Sequence, residues 1–248
     1  MSDEPIPAAT LVVVRDRADG QPELLMVERA SGMAFAGGAL VFPGGRIDQP
    51  DRQLADPFGY ADGAARVAAI RETIEETAVA VGLDPLPSVD NAAAMQDSLV
   101  ADRRFAELLE DVGVGLDLEA LTPLARWLPN FHVTRRFDTL FFLARAPAGA
   151  WLPRVIEGEC SGAYWLTAAD ALERERSGHA RLIFPTRRNL ERLARHPSFD
   201  AMIADAEAHP IEPITPWVED HAGEKFIVIP DRLGYPVTRE RLDGLWRG

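Results

Sequence analysis

The stretch "RETIEETA", Arg71–Ala78, places three glutamates within five residues. At about 3.6 residues per helical turn, Glu72, Glu75 and Glu76 stand at i, i+3 and i+4 and project from one face of a helix. Like charges so spaced destabilise a helix by roughly 0.2–0.5 kcal/mol per pair, so something must compensate. Arg71 and solvent are the ordinary means. A divalent cation is the other, because Mg2+ takes oxygen ligands and commonly joins carboxylates to substrate phosphates.

Outward from that stretch, Val67, Ile70, Ile74, Ala78 and Val81 recur at helical spacing between about residues 63 and 81, roughly opposite the carboxylates. A helix that buries one face and offers acids from the other is expected. Upstream, "AATLVVVRD" and "PELLMVERA" flank an Asp-Gly turn signal and read as a hairpin. "ALVFPGG" reads as a short strand ending in a tight turn, in which Gly44 and Gly45 permit positive φ and close approach of a metal or phosphate to the backbone. Residues 52–60, "RQLADPFGY", lack a period and read as loop.

Downstream, "SLVADRRFAELLEDVG" reads as one amphipathic helix, and "LARWLP", "FDTLFFLARA" and "GAYWLT" as strands. The middle strand is almost wholly apolar and is expected at the centre of a sheet. "TAADALERE", after a Thr cap, and "TRRNLERLARH" read as helices, and "EKFIVIP" as a late strand.

The 248 residues carry a net charge of −13, and Lys225 is the only lysine. That balance opposes non-specific binding to nucleic acid or to an anionic membrane, while leaving room for local arginine clusters that hold phosphates. Cys160 is the only cysteine, so no intramolecular disulfide can form. The acidic start "MSDEPIPAAT" does not read as a signal peptide, and no apolar run nears the roughly 20 residues that span a bilayer. The expectation is a soluble, cytoplasmic protein with a single domain over residues 1–248.

"GGRIDQPD" followed by "AAIRETIEETAVAVG" resembles the signature of the Nudix hydrolases, in which Gly, five residues, Glu and seven residues lead to Arg-Glu-hydrophobe-x-Glu-Glu-x-Gly. Gly45 takes the first glycine, Asp51 the first glutamate, and Arg71, Glu72, Glu75 and Glu76 the core. Nineteen residues separate Asp51 from Arg71 in place of seven, Thr73 stands where a larger hydrophobe is usual, and Ala78 replaces the last glycine. The extra length falls near residues 52–63, before the helix, where added loop costs little entropy.

"LMVERASGMAFAGGALVFPGG" further resembles the signature upstream of the box in coenzyme A diphosphatases, with Ala34 where that signature has arginine. "RRFDTLFFLARAP", "YWLTAADAL" and "IPDRLGYP" resemble the branch with a long insertion in its box, although the final "LWRG" carries no peroxisomal Ser-Lys-Leu signal.

The resemblance implies an α+β fold, a Nudix-type α/β/α sandwich with a mixed central sheet, extra helices and a C-terminal extension. It implies hydrolysis of a diphosphate in a nucleotide conjugate, coenzyme A or an acyl derivative in the first place, an ADP-ribose or dinucleotide substrate in the second, or binding without turnover. Mg2+ or Mn2+ would sit on Glu72, Glu75, Glu76 and the backbone of Gly45. Arg71, Glu72 and Glu76 are the expected catalytic groups, with Glu159 the downstream candidate for the base and Glu157 its substitute. Arg29, Arg135 and Arg136 could grip phosphates as forked donors beside Gly44 and Gly45, or serve only as surface charges. His132, the tryptophans and Cys160 read as structural. The partner is a small nucleotide; no nucleic acid or membrane is expected, and a homodimer is left open.

Overall fold

The computed structural model describes residues 4–18, 20–32, 36–129, 136–156, 158 and 160–242. Strand β1 (Ile6–Arg15) and β2 (Glu23–Arg29) form the expected hairpin, with Val14 opposite Leu24. They are followed by β3 (Leu40–Val41), β4 (Gly44–Arg46), helix α1 (Gln49–Ala55) and helix α2 (Gly63–Thr77). β5 (Leu83–Asp84), α3 (Val89–Val100), α4 (Phe105–Val112) and β6 (Gly115–Leu116) lead to β7 (Thr122–Trp127) and β8 (Phe137–Arg145). After β9 (Cys160–Thr167) come three helices, α5 (Ala168–Arg176), α6 (Phe184–Leu193) and α7 (Phe199–Glu207). β10 (Pro213–Ile214), β11 (Trp217–His221), β12 (Glu224–Val228) and β13 (Arg239–Arg241) close the described chain.

The main sheet runs β10-β7-β8-β1-β2-β3, with β4 also paired to β1 and β9 to β2. It is mixed: β1 and β8 are parallel, whereas β1 is antiparallel to both β2 and β4. β8 lies between β7 and β1, at the central position its apolar sequence called for. β1 is buried on both faces. Ala9, Leu11 and Val13 meet Val67, Ile70 and Ile74 of α2 together with Met95, Phe105 and Leu108 from α3 and α4. Val12 and Val14 meet Leu190, Leu193 and Met202 from α6 and α7. This alternation, one side chain up and the next down, makes the sheet the middle layer of an α/β/α sandwich. Among the described residues no helix is long and apolar enough to cross a membrane.

Four local readings are corrected. Residues 52–60 are not a loop throughout: α1 runs to Ala55 and a 3-10 turn covers Asp56–Phe58. The signal was present in "DQPD", where Asp48 is the N-cap, Pro50 stands in the first turn, and Asp51 accepts the Asp48 N–H at 2.9 Å. The helix expected over "SLVADRRFAELLEDVG" is two, because Asp102 takes φ 60° between α3 and α4, and a short polar side chain tolerates that conformation. α2 stops at Thr77, Ala78 turning left-handed with φ 56°, so Val81 is buried outside the helix. Gly44 and Gly45, read as a tight turn, belong to β4, where Gly45 faces Ala9 of β1.

Candidate active site

Helix α2 lies against β1 and β4, and this contact assembles the acidic cluster. Its apolar stripe, Val67, Ile70 and Ile74, is fully buried, which fixes the rotation of the helix and brings Glu72 and Glu76 to the glycines of β4. The Gly44 N–H donates to Glu76 Oε2 at 3.0 Å. Glu76 is itself buried, so the carboxylate face is not simply the solvated side that the helical pattern suggested. Gly44 is sterically required by backbone, whereas Gly45 is opposed only by the far end of a side chain. A Cβ on Gly44 would lie 2.4 Å from the Ala9 carbonyl oxygen, and one on Gly45 would lie 2.4 Å from the Glu72 carboxylate.

Arg71 is the hub. Its Nε and one terminal nitrogen form a fork on Asp51, both contacts at 2.9 Å, and the other terminal nitrogen reaches Glu72 Oε1 at 2.9 Å and Glu75 Oε2 at 3.4 Å. The carbonyl of Arg46 on β4 accepts a further bond at 3.1 Å. A planar guanidinium can serve this many acceptors at once, and an ammonium cannot. Asp51 comes from α1, and the longer segment that follows it folds back so that this acid still meets the arginine, 20 positions away in sequence.

The electrostatics leave a surplus of negative charge. Burial, followed by the charges of Glu75 and Asp51, outweighs the attraction of Arg71 and pushes the Glu72 carboxyl up to about 7. Burial acts against the Arg71 charge, but the Asp51 fork and Glu72 more than compensate and hold it above the ordinary arginine value. Thr73, where a larger hydrophobe is usual, is fully buried and returns its hydroxyl to the Ala69 carbonyl at 2.7 Å, so the departure leaves no orphaned polar group.

A divalent ion is tested by these residues. Among the described residues, no three acidic, imidazole or thiol groups stand as a ready-made cage. Glu72 and Glu75 turn to Arg71, and Glu76 turns to Gly44. The donor set nevertheless fits a hard cation: every candidate ligand is an oxygen, and Gly45 has no side chain where Glu72 needs room. Glu72, Glu75 and Glu76 would hold the ion.

The expected substrate arginines are reached in part. Arg29 ends β2, and the Arg136 carbonyl accepts the Ile6 N–H at 2.8 Å at the start of β8. Strand register puts both at the end of the sheet that carries β4. The Nε atoms of Arg29 and Arg136 are buried without a hydrogen-bond partner. Ala34, His132, Arg135, Glu157 and Glu159 lie outside the described residues. Sequence reasoning matched Asp51 to the box without seeing its fork to Arg71; the acid at the third position of a Pro-initiated helix was the available signal.

Gly45→Ala offers a test of the β4 approach. The clash is with the mobile end of Glu72 and not with backbone, so the variant should lose under about 1 kcal/mol of stability while turnover falls roughly tenfold or more as the carboxylate is displaced. Thermal unfolding and steady-state rates measured on one preparation would separate the two effects.

No family model matches the chain. A solved structure of a NUDIX hydrolase from Alicyclobacillus acidocaldarius is 32% identical, superposes with a TM-score of 0.67, and is aligned over 81% of this chain and 96% of its own. Nudix hydrolase 7 of Caenorhabditis elegans is 24% identical over 207 residues, covering 82% of this chain; the match spans 66% of that protein's length. With its α/β/α sandwich and its arginine-centred acidic helix, the chain belongs to the Nudix hydrolases.

Proposed function

We propose that this Nudix hydrolase cleaves the diphosphate linkage of a nucleoside diphosphate conjugate with Mg2+ or Mn2+ as cofactor, and that its substrate is coenzyme A or an acyl-coenzyme A. Water adds its oxygen to one phosphorus, the bridging P–O bond breaks, and the products are 3′,5′-ADP and (acyl-)4′-phosphopantetheine with release of a proton. The carrying observation is the Arg71 network, which gathers Asp51, Glu72 and Glu75 on one guanidinium beside Glu76 and the Gly44 amide.

In this reading a divalent cation held by Glu72, Glu75 and Glu76 would supply charge neutralisation for the diphosphate and a lowered pKa for water. Arg71 orients Glu72 and Glu75. Glu72, largely buried between Arg71 and the backbone of Gly45, is the first candidate for an acceptor of the water's proton. Glu159 is the alternative base. Arg29 and Arg136, each with an unpartnered buried Nε, are suited to phosphate oxygens. The coenzyme A assignment draws on the stretch "LMVERASGMAFAGGALVFPGG"; Ala34 in place of arginine motivates the second reading, an ADP-ribose or dinucleotide pyrophosphatase.

The deciding assay offers coenzyme A, acetyl-coenzyme A, ADP-ribose, NADH and diadenosine polyphosphates to the protein with Mg2+ or Mn2+. Products are identified by mass, and Glu76→Gln serves as control. Cleavage confined to coenzyme A species and lost in the control is the expected result. Cleavage of ADP-ribose or dinucleotides alone would transfer the enzyme to the second reading, and nucleotide binding without turnover would make it a binding module.

A further inference from the structure

We infer that Gln96 is a positioning residue for the carboxylates of α2, acting through the last turn of that helix. The inference rests on reading Glu72, Glu75 and Glu76 as the working acids. A helix end leaves its final carbonyls without intrahelical partners. α2 ends in an awkward manner: Ala78 adopts φ 56°, a conformation that costs alanine more than glycine, so the turn needs support from outside.

That support is one buried amide. Gln96 of α3 is fully buried, and its Nε2 donates to the Glu75 carbonyl at 3.0 Å and to the Arg154 carbonyl at 2.8 Å. Its Oε1 accepts from Arg154 at 3.0 Å. The Arg154 N–H in turn donates to the Thr77 carbonyl at 2.8 Å, and its guanidinium reaches Asp97 at 2.7 Å. Two carbonyls of the last turn of α2 are thereby reached from outside the helix, that of Glu75 by Gln96 and that of Thr77 by the Arg154 N–H, and Gln96 is bonded to Arg154 as well.

A satisfied core amide is the plainer description, but placement argues for more. Ala92, Met95 and Leu99 make the buried stripe of α3, and Gln96 is the polar member on that stripe, where an apolar side chain would pack without needing partners. Its acceptor is the backbone of Glu75, the residue before Glu76, whose carboxylate meets the Gly44 amide. Loss of the donor takes this bond from the carbonyls of Glu75 and Arg154, and the turn that aims Glu75 and Glu76 is the part with freedom to move.

The test measures Mn2+ binding by electron paramagnetic resonance, which needs no substrate, alongside turnover. Gln96→Leu removes all three bonds. Gln96→Glu keeps the contact with Arg154 but cannot donate to Glu75, and serves if the leucine variant does not fold. Met202→Ala, in the opposite core, is the control for general destabilisation. Either Gln96 variant, folded by circular dichroism, should lose 10- to 100-fold in Mn2+ affinity and in kcat, the scale seen when outer partners of metal ligands are removed. Met202→Ala should keep wild-type Mn2+ affinity. Wild-type affinity and kcat in a folded Gln96 variant, or equal loss in Met202→Ala, would overturn the inference. Absence of Mn2+ binding by the unaltered protein would instead remove the carboxylate reading beneath it.

Discussion

Glu72→Gln is expected to lower turnover by on the order of 10^2 or more, the usual cost of removing one electrostatic partner from a reacting centre. The same substitution has a second expected signature that does not depend on substrate. With no cation beside it, Glu72 in the folded protein holds its proton up to about 7, against an ordinary value of 4.5. Between those values the folded state binds more proton than the unfolded chain, so stability falls as pH rises through the window. The full shift corresponds to a loss on the order of 3 kcal/mol. Urea unfolding at pH 5 and pH 8 in the presence of a chelator should show this decline in the native protein and a flatter profile in Glu72→Gln. Saturating Mg2+ should restore stability at pH 8 in the native protein, because a ligand that binds only the folded state adds to its stability. An undiminished decline in the variant would assign the titration to another group.

The periodic part of this fold could be read from residues alone. The hairpin of β1 and β2, the central β8 and the buried stripe of α2 each repeat a pattern over seven residues or more, so local errors average out. The carboxylate cluster was legible for the opposite reason: three acids on one helical face contradict local preference, and such a conflict marks a candidate site. What was missed is short or long-range. α1 is only 7 residues long, with too few turns to show a period, and its signal lay in its cap. The break at Asp102 rests on one backbone conformation within a sequence that otherwise suits a continuous helix. The Asp51 fork and the Gln96 amide join residues 20 and 21 positions apart, and pairings of that kind exist only after the layers have packed. Residue type gave the composition of the site, whereas its closure is a tertiary fact.

The second large effect concerns Arg71. Asp51 is 1% exposed, so in Arg71→Met it keeps the Asp48 N–H as a partner but loses both guanidinium contacts. Stranding a buried charge in this way costs about 3 kcal/mol, more than the fork itself contributes, because the partner's desolvation is no longer offset. The double variant Arg71→Met/Asp51→Asn should therefore be more stable than Arg71→Met alone: asparagine removes the charge and can still accept the Asp48 N–H that caps α1. Turnover should not recover with stability. Glu72 and Glu75 would still lack the guanidinium that holds them, and no neutral residue at position 51 replaces it. Urea unfolding of the three variants gives the coupling between positions 51 and 71, and steady-state rates show whether it is separable from catalysis. If the double variant is destabilised by the sum of the two single changes, Asp51 is not the charge that Arg71 answers. If it regains both stability and turnover, the arginine is a structural strut and the orientation of Glu72 must come from β4.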